Sequence, residues 1–319
     1  MKHALRGAGA VVAGLMLGSM LTTASFAADK PVLAFVANGA SDFWKAAEAG
    51  MAKAQAELPD YTLEFKYPDQ ATVANQQALM DNLATAGVKG IMVSAVDPKA
   101  TDVLDKVAGE TSLFTTDSDA PNSKRIAYIG SSNVDAGKQA AEIAKKAMPN
   151  GAKCMGFVGL LDAANFKERA QGFTEGLAGT KITLVDTKGD GIDQTRAKAN
   201  VSDVLAANPD INCMVGFYSY NTPRIYEALR EAGKIGKVTI IGFDEDPITL
   251  GGVREGTIEG TVVQNPYEWG YQGMKLMAKV LEGDKSGIPA NGLIIVPGQV
   301  IDKGNVDAFE TELKARVGK

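Results

Sequence analysis

The 319-residue sequence has a single histidine, His3. It sits in a basic stretch, MKHALRG, which runs into the apolar segment AGAVVAGLMLGSML and then Ser25-Phe26-Ala27, with small residues at the two positions a signal peptidase reads. This order predicts a secretory signal peptide over residues 1–27, with Ala28 as the mature start. The expected mature chain therefore carries no imidazole, which excludes Ser-His-Asp and Cys-His mechanisms and any histidine metal site. No cysteine stands near the cleavage position, so a lipid anchor is not expected and the predicted compartment is the periplasm. Beyond the leader, no apolar run is long enough to span a bilayer.

Cysteine is almost as scarce. Cys154 and Cys213 open two apolar runs, AKCMGFVG and INCMVGF. If those runs are neighbouring parallel strands, a disulfide is feasible in an oxidising compartment; the alternative is a pair of buried thiols. A catalytic thiol is disfavoured, because no histidine is left to activate it. Positive charge is also short: 33 Lys and Arg face 38 Asp and Glu, a net charge of −5. Loss of Lys2 and Arg6 with the leader takes this to about −7, which makes nucleic acid and anionic membranes poor partners. Glycine-rich phosphate motifs are missing as well, since neither GxGxxG nor a Walker A pattern follows an opening strand. NGASDFW, at residues 38–44, offers one glycine and two large rings where a pyrophosphate needs close backbone approach. GDGIDQT, at residues 189–195, lacks the further ligands and closing glutamate of a calcium loop. No metal and no cofactor are expected.

What the chain does contain is a long alternation of strand-length apolar runs and amphipathic helical stretches, the signature of parallel α/β architecture. About 290 residues remain after the leader, more than one core usually organises, so two domains are expected. The first set comprises VLAFVAN, a helix from Asp42 to about Leu58, YTLEFKYP, a helix from about Thr72 to Ala86, GIMVSA, a short helix from Pro98, SLFTTD and RIAYIGS. After the helix VDAGKQAAEIAKKAM a second set repeats the plan: KCMGFVG, a helix from about Phe166 to Leu177, ITLVDT, a helix from about Gln194 to Ala207, CMVGFYS, the helix RIYEALREAG and VTIIGFD. The remainder, IEGTVVQNP, the helix YEWGYQGMKLMAKVLEG and the strand GLIIVPGQVI, is too short for a third domain and is expected to cross back between the other two. Each half places polar residues directly after its strands, among them Asn38, Asp117, Asn221 and Asp244. In open parallel sheets those positions line the ligand crevice, so two facing lobes enclose a cleft.

The carboxylates of TTDSDAP and GFDEDP allow a glycosidase to be considered. Aspartate is also common in turns and helix caps, and the sequence lacks a glycosidase fold signature. A third reading fits the pattern better, in which carboxylates accept pairs of sugar hydroxyls. An isolated tryptophan at the start of a helix usually belongs to a core. Here Phe43 and Trp44 stand among Asp, Asn, Arg and Gln side chains at strand ends, and rings plus polar groups match the apolar faces and polar edges of a sugar. Trp44 is the ring expected to meet the ligand, with Asn38 and Ser41 at the polar edge.

FVANGASDFW, TTDSDAP, NFKERAQGF, GFYSYN, IIGFDEDP and GTVVQNP, in that order behind an export signal, give the chain a pattern that resembles the periplasmic sugar-binding proteins of ABC transporters, of the ribose- and galactose-binding type. The resemblance covers nearly all of the mature chain. It implies two Rossmann-like lobes with parallel sheets, joined by three hinge crossings, which close over a ligand without covalent chemistry. The implied lobes are residues 28–131 plus 265–296 and residues 132–264 plus 297–319. Carried over by position, the ligands are Phe43, Trp44, Asp117, Asp119, Asn165, Arg169, Asn221, Asp244 and Gln264, which join Asn38 and Ser41 in the expected set. Three departures stand out. Ser118 and Ala37 occupy positions where ribose binders carry arginine and serine, and Ile192 falls near their third stacking aromatic, a role Tyr218 or Tyr220 can fill instead. Carboxylates outnumber the one arginine of this set, which favours an uncharged pentose, hexose or polyol over an anion.

The implied protein is a monomer that is not an enzyme and that docks on an ABC transporter permease. A periplasmic sugar receptor feeding a sensor kinase or chemoreceptor is the alternative. The effector domain of a lactose-repressor-type factor shares this fold, but it requires an N-terminal helix-turn-helix and no export signal.

Overall fold

The computed structural model describes residues 1, 3 and 30–317; the rest of the assigned signal peptide and its cleavage position lie outside the described residues. Two six-stranded sheets dominate the molecule. The first contains β1 (Val32–Val36), β2 (Thr62–Lys66), β3 (Gly90–Val93), β4 (Ser112–Thr116), β5 (Tyr128–Gly130) and β11 (Leu293–Ile295), in the order β11-β5-β4-β3-β1-β2. The second contains β6 (Ala152–Val158), β7 (Ile182–Gly189), β8 (Cys213–Gly216), β9 (Thr239–Phe243), β10 (Gly260–Val263) and β12 (Gln299–Ile301), in the order β12-β10-β9-β8-β6-β7. All pairings are parallel except the edge pair β10–β12. The two sheets repeat one winding, and each with its helices forms a Rossmann-like lobe.

Helices cover both faces of each sheet, which is why the inner strands read as unbroken apolar runs rather than alternating ones. In the first lobe, α1 (Lys45–Glu57) and α9 (Pro266–Leu281) pack over one face with Trp44, Trp269, Met274 and Met277. Helices α2 (Val73–Thr85) and α3 (Thr101–Glu110) cover the other with Met80, Leu83, Leu104 and Val107. In the second, α4 (Asn133–Ala147) and α5 (Ala164–Gly176) lie on one face, while α6 (Gln194–Ala207), α7 (Asn221–Glu231) and α8 (Pro247–Glu255) lie on the other. The last helix, α10 (Val306–Val317), touches both α8 and α1. None of the helices among the described residues is long and apolar enough to cross a membrane.

The chain passes between the sheets after β5, after β10 and between β11 and β12. The third passage divides the apolar run GLIIVPGQVI, expected as one strand, into one edge strand for each sheet. Pro297 has no amide to donate to a ladder, and at Gly298 a Cβ would lie 2.3 Å from the Val263 carbonyl oxygen. Helix α3 starts at Thr101 rather than Pro98, and α8 and α10 are additional to the expected helices. Cys154 and Cys213 are register partners on β6 and β8, with their Cα atoms 4.3 Å apart, and they form a disulfide.

Candidate functional site

The carboxyl ends of the strands of both sheets converge on one cavity lined from both lobes. Asp117 follows β4 and Asp244 follows β9, the fourth strand of each set, and both take a left-handed backbone, with φ of 54° and 63°. Ile192, after β7, has φ of 64°. Such conformations cost a non-glycine residue on the order of 1–3 kcal/mol and persist where the surroundings hold them. The surroundings here are specific. Tyr128 Oη and Asn133 Nδ2 donate to the Asp117 carbonyl, and Thr261 Oγ1 donates to that of Asp244.

The side chains of these aspartates are held from several elements. Ser94 Oγ (2.7 Å) and Asn165 Nδ2 (3.0 Å) donate to Asp117 Oδ2, and Asn38 Nδ2 approaches the same atom at 3.4 Å. Gln264 Nε2 donates to Asp244 Oδ1 at 2.9 Å. Between the two carboxylates lies Arg169, 1% exposed. Its Nη2 is 4.0 Å from Asp117 Oδ1 and its Nη1 3.9 Å from Asp244 Oδ2. Nη1 donates to the Phe217 carbonyl and Nε to Asn133 Oδ1, while the guanidinium lies over the Phe243 ring. The close crossing of α4 and α5 makes the Asn133 contact available. A Cβ on Gly172 would sit 2.0 Å from the Val134 carbonyl oxygen, and one on Gly137 2.2 Å from that of Arg169.

Two buried polar atoms on residues that line this cavity have no hydrogen-bond partner in the protein, Arg169 Nη2 and Gln264 Oε1. One is a donor and the other an acceptor, and each costs about 1–3 kcal/mol while unpaired. Burial is also the main influence on both carboxylates. It raises Asp117 above the usual range against the pull of Arg169, Ser94 and Asn165. It lifts Asp244 to about 6 against Arg169 and the Gln264 amide. The site thus holds one guanidinium, two desolvated carboxylates and unfilled hydrogen-bonding capacity of both kinds.

Nine of the eleven positions assigned from the sequence line the cavity: Asn38, Ser41, Phe43, Trp44, Asp117, Asn165, Arg169, Asp244 and Gln264. Asp119 and Asn221 do not. The Asp119 carboxylate turns to Arg125, with contacts of 2.6 and 2.7 Å, and accepts from Thr115 Oγ1 and the Ala120 amide. Asn221 sits behind the wall, donating to Asp190 Oδ2 and accepting from the Tyr218 amide. The structure adds Ile192, Tyr218, Ser219 and Tyr220 to the lining. Both tyrosine hydroxyls are engaged, Tyr218 with Asn165 Oδ1 and Tyr220 with Asp190 Oδ1. Trp44 is 1% exposed and packs against Phe35 and Phe65 in the first core as well as on the cavity, whereas Phe43 is only half-buried. Among the described residues no group of three or more His, Cys, Asp and Glu side chains can hold a metal ion.

Comparison with known proteins agrees with this architecture. Residues 33–285 match a periplasmic binding protein domain. The chain is 27% identical to a ribose import binding protein of Salmonella typhimurium over 220 residues, 68% of this chain and 73% of that one. It is also 27% identical to the D-allose-binding periplasmic protein of Escherichia coli over 287 residues, 86% and 90% of the two chains. Two crystal structures superpose with TM-scores of 0.80 and 28% identity. One is a glucose-galactose binding protein from Geobacillus stearothermophilus, covering 87% of this chain and 99% of that one. The other is an ABC transporter solute binding protein from Burkholderia graminis in complex with D-arabinose, covering 86% and 96%.

Proposed function

Because the chain belongs to the periplasmic binding protein domain family, we propose that it captures a neutral monosaccharide or polyol between its lobes in the periplasm and delivers it to the permease of an ABC transporter. The observation that carries this reading is the pairing of an unfilled donor, Arg169 Nη2, with an unfilled acceptor, Gln264 Oε1, beside two buried carboxylates and the Phe43 ring. A sugar hydroxyl donates and accepts at once, so a ring of hydroxyls satisfies such a set without bringing a charge. A sugar phosphate or sugar acid meets two carboxylates against one guanidinium and is disfavoured. The relatives named for ribose, allose, galactose and arabinose support the same ligand class.

The binding residues in this reading are the nine that line the cavity. Asn221 supports the Tyr218–Tyr220 wall from behind, and Asp119 braces the first lobe through Arg125. The lobes are residues 28–131 plus 265–296 and residues 132–264 plus 297–319. Their closure is a hinge motion in which contacts from both sides outweigh the hydration of the open cleft. No covalent step is involved.

The test is a thermal-shift and calorimetric screen of the mature chain against D-ribose, D-allose, D-arabinose, D-galactose and myo-inositol. At least one is expected to raise the unfolding temperature and to bind with one-to-one stoichiometry, and Asp244→Ala is expected to lose that response while its unligated fold persists. Absence of any response at millimolar sugar, or an unchanged response in Asp244→Ala, overturns the reading.

A further inference from the structure

Helix α5 carries Asn165 and Arg169, yet its own N-cap residue, Ala163, has no side chain able to accept a backbone hydrogen bond. The first amides of a helix need partners, and when buried they cannot take them from bulk water. Ala163 and Ala164 are both buried. The partner comes from the other lobe. The Ala164 amide donates to Ser118 Oγ at 3.1 Å, and Ser118, directly after Asp117, is 0% exposed. The left-handed turn at Asp117 sets the direction of this segment, and the Ser118 carbonyl is anchored within the first lobe by the Ala95 amide. Ser118 is not part of the cavity lining.

We infer that Ser118 is a positioning residue for closure, an N-cap supplied to α5 across the cleft that exists only when the lobes meet. Opening the cleft separates Ser118 from Ala164 and exposes both to water. Closing restores the cap, seats the first turn of α5 and brings Asn165 Nδ2 onto Asp117 in the same movement. A cap within α5 stabilises open and closed states alike, whereas a cap from the opposite lobe stabilises only the closed one. Its energy therefore adds to ligand affinity without any contact to the ligand. This follows from the interlobe geometry and rests on the sugar-binding reading only for the choice of probes.

Affinity for the best-binding sugar of the screen is compared in wild type, Ser118→Ala and Ser118→Ala combined with Ala163→Ser. Loss of one N-cap bond is expected to raise Kd by roughly 2- to 30-fold, mainly through faster dissociation. The added Ala163→Ser cap, working equally in both states, is expected not to restore affinity. Spin labels at Asp69→Cys and Asp186→Cys, exposed positions on the two lobes, report the interlobe distance without ligand, and Ser118→Ala is expected to move that distribution to longer distances. Wild-type affinity and unchanged distances in Ser118→Ala overturn the inference, and so does full recovery by Ala163→Ser, because the cap is then an ordinary local one. If wild type binds none of the sugars, the sugar reading fails, and the label distances still decide the latch.

Discussion

Asp244, a ligand contact in the proposed reading, also bears on stability. Its carboxyl titrates near 6 in the folded chain because burial outweighs Arg169 and Gln264. The ordinary aspartate value lies near 3.9. A folded value above the unfolded one means that the native state holds its proton longer. The associated stability is fully present below about pH 4 and is lost as pH rises through about 6. Asp190 behaves in the same sense for the same reason. Unligated wild type should therefore lose stability relative to Asp244→Asn between pH 4 and 7, by up to roughly 3 kcal/mol. Urea midpoints at several pH values measure the difference, and a pH-independent difference overturns the assignment. The same substitution is expected to weaken sugar binding about tenfold or more, since hydrogen bonds to charged groups are worth about 1.5–3 kcal/mol. Asp117 and Asp244 were legible because each directly follows a strand. Asp119 misled because it occurs in the same short motif, while its direction is set by Arg125, whose approach depends on the tertiary fold. Trp44, expected at the ligand, is large enough to serve the core and the cavity wall together.

At the scale of elements, the α4–α5 crossing governs Arg169. Gly172→Ala sets a methyl group against the Val134 carbonyl and forces the helices apart. Arg169 then moves off Asn133 Oδ1, the contact that orients its free nitrogen. The expected result is a loss of about 1–3 kcal/mol in stability together with weaker sugar binding, read by denaturant titration and calorimetry on one sample. Unaltered binding in a folded Gly172→Ala variant shows that the crossing does not position the arginine. Alternation of apolar runs and helices made most elements readable from sequence, because buried parallel strands and their covering helices leave strong patterns. The division of β11 and β12 between two sheets was not readable. Pro297-Gly298 marks a break within GLIIVPGQVI, but which sheet edge each half joins is decided only by the tertiary fold. Helix α8 is capped by Asp246, with Pro247 at its first turn, but it follows so closely on the aspartates of GFDEDP that its start reads as a loop.

For the whole molecule, the proposed capture of a neutral ligand inside the cleft predicts weak sensitivity to salt. A neutral ligand releases no counterions, and the charges it meets are buried, where screening is small. Affinity measured at 50 and 500 mM salt is expected to differ by less than about twofold. A steep salt dependence points to a charged ligand instead. The three chain passages have a further result for how the protein is made. Each sheet draws five of its six strands from one continuous segment, Val32–Gly130 and Ala152–Val263, and receives its last strand, β11 or β12, from the final stretch of the chain. Until then Trp44, Met51 and their neighbours lack the cover of Trp269, Met274 and Met277, and the second core lacks Ile301 and Val306. These contacts have long sequence separation and are slow to form. A chain of this design leaves both lobes unfinished until its tail arrives.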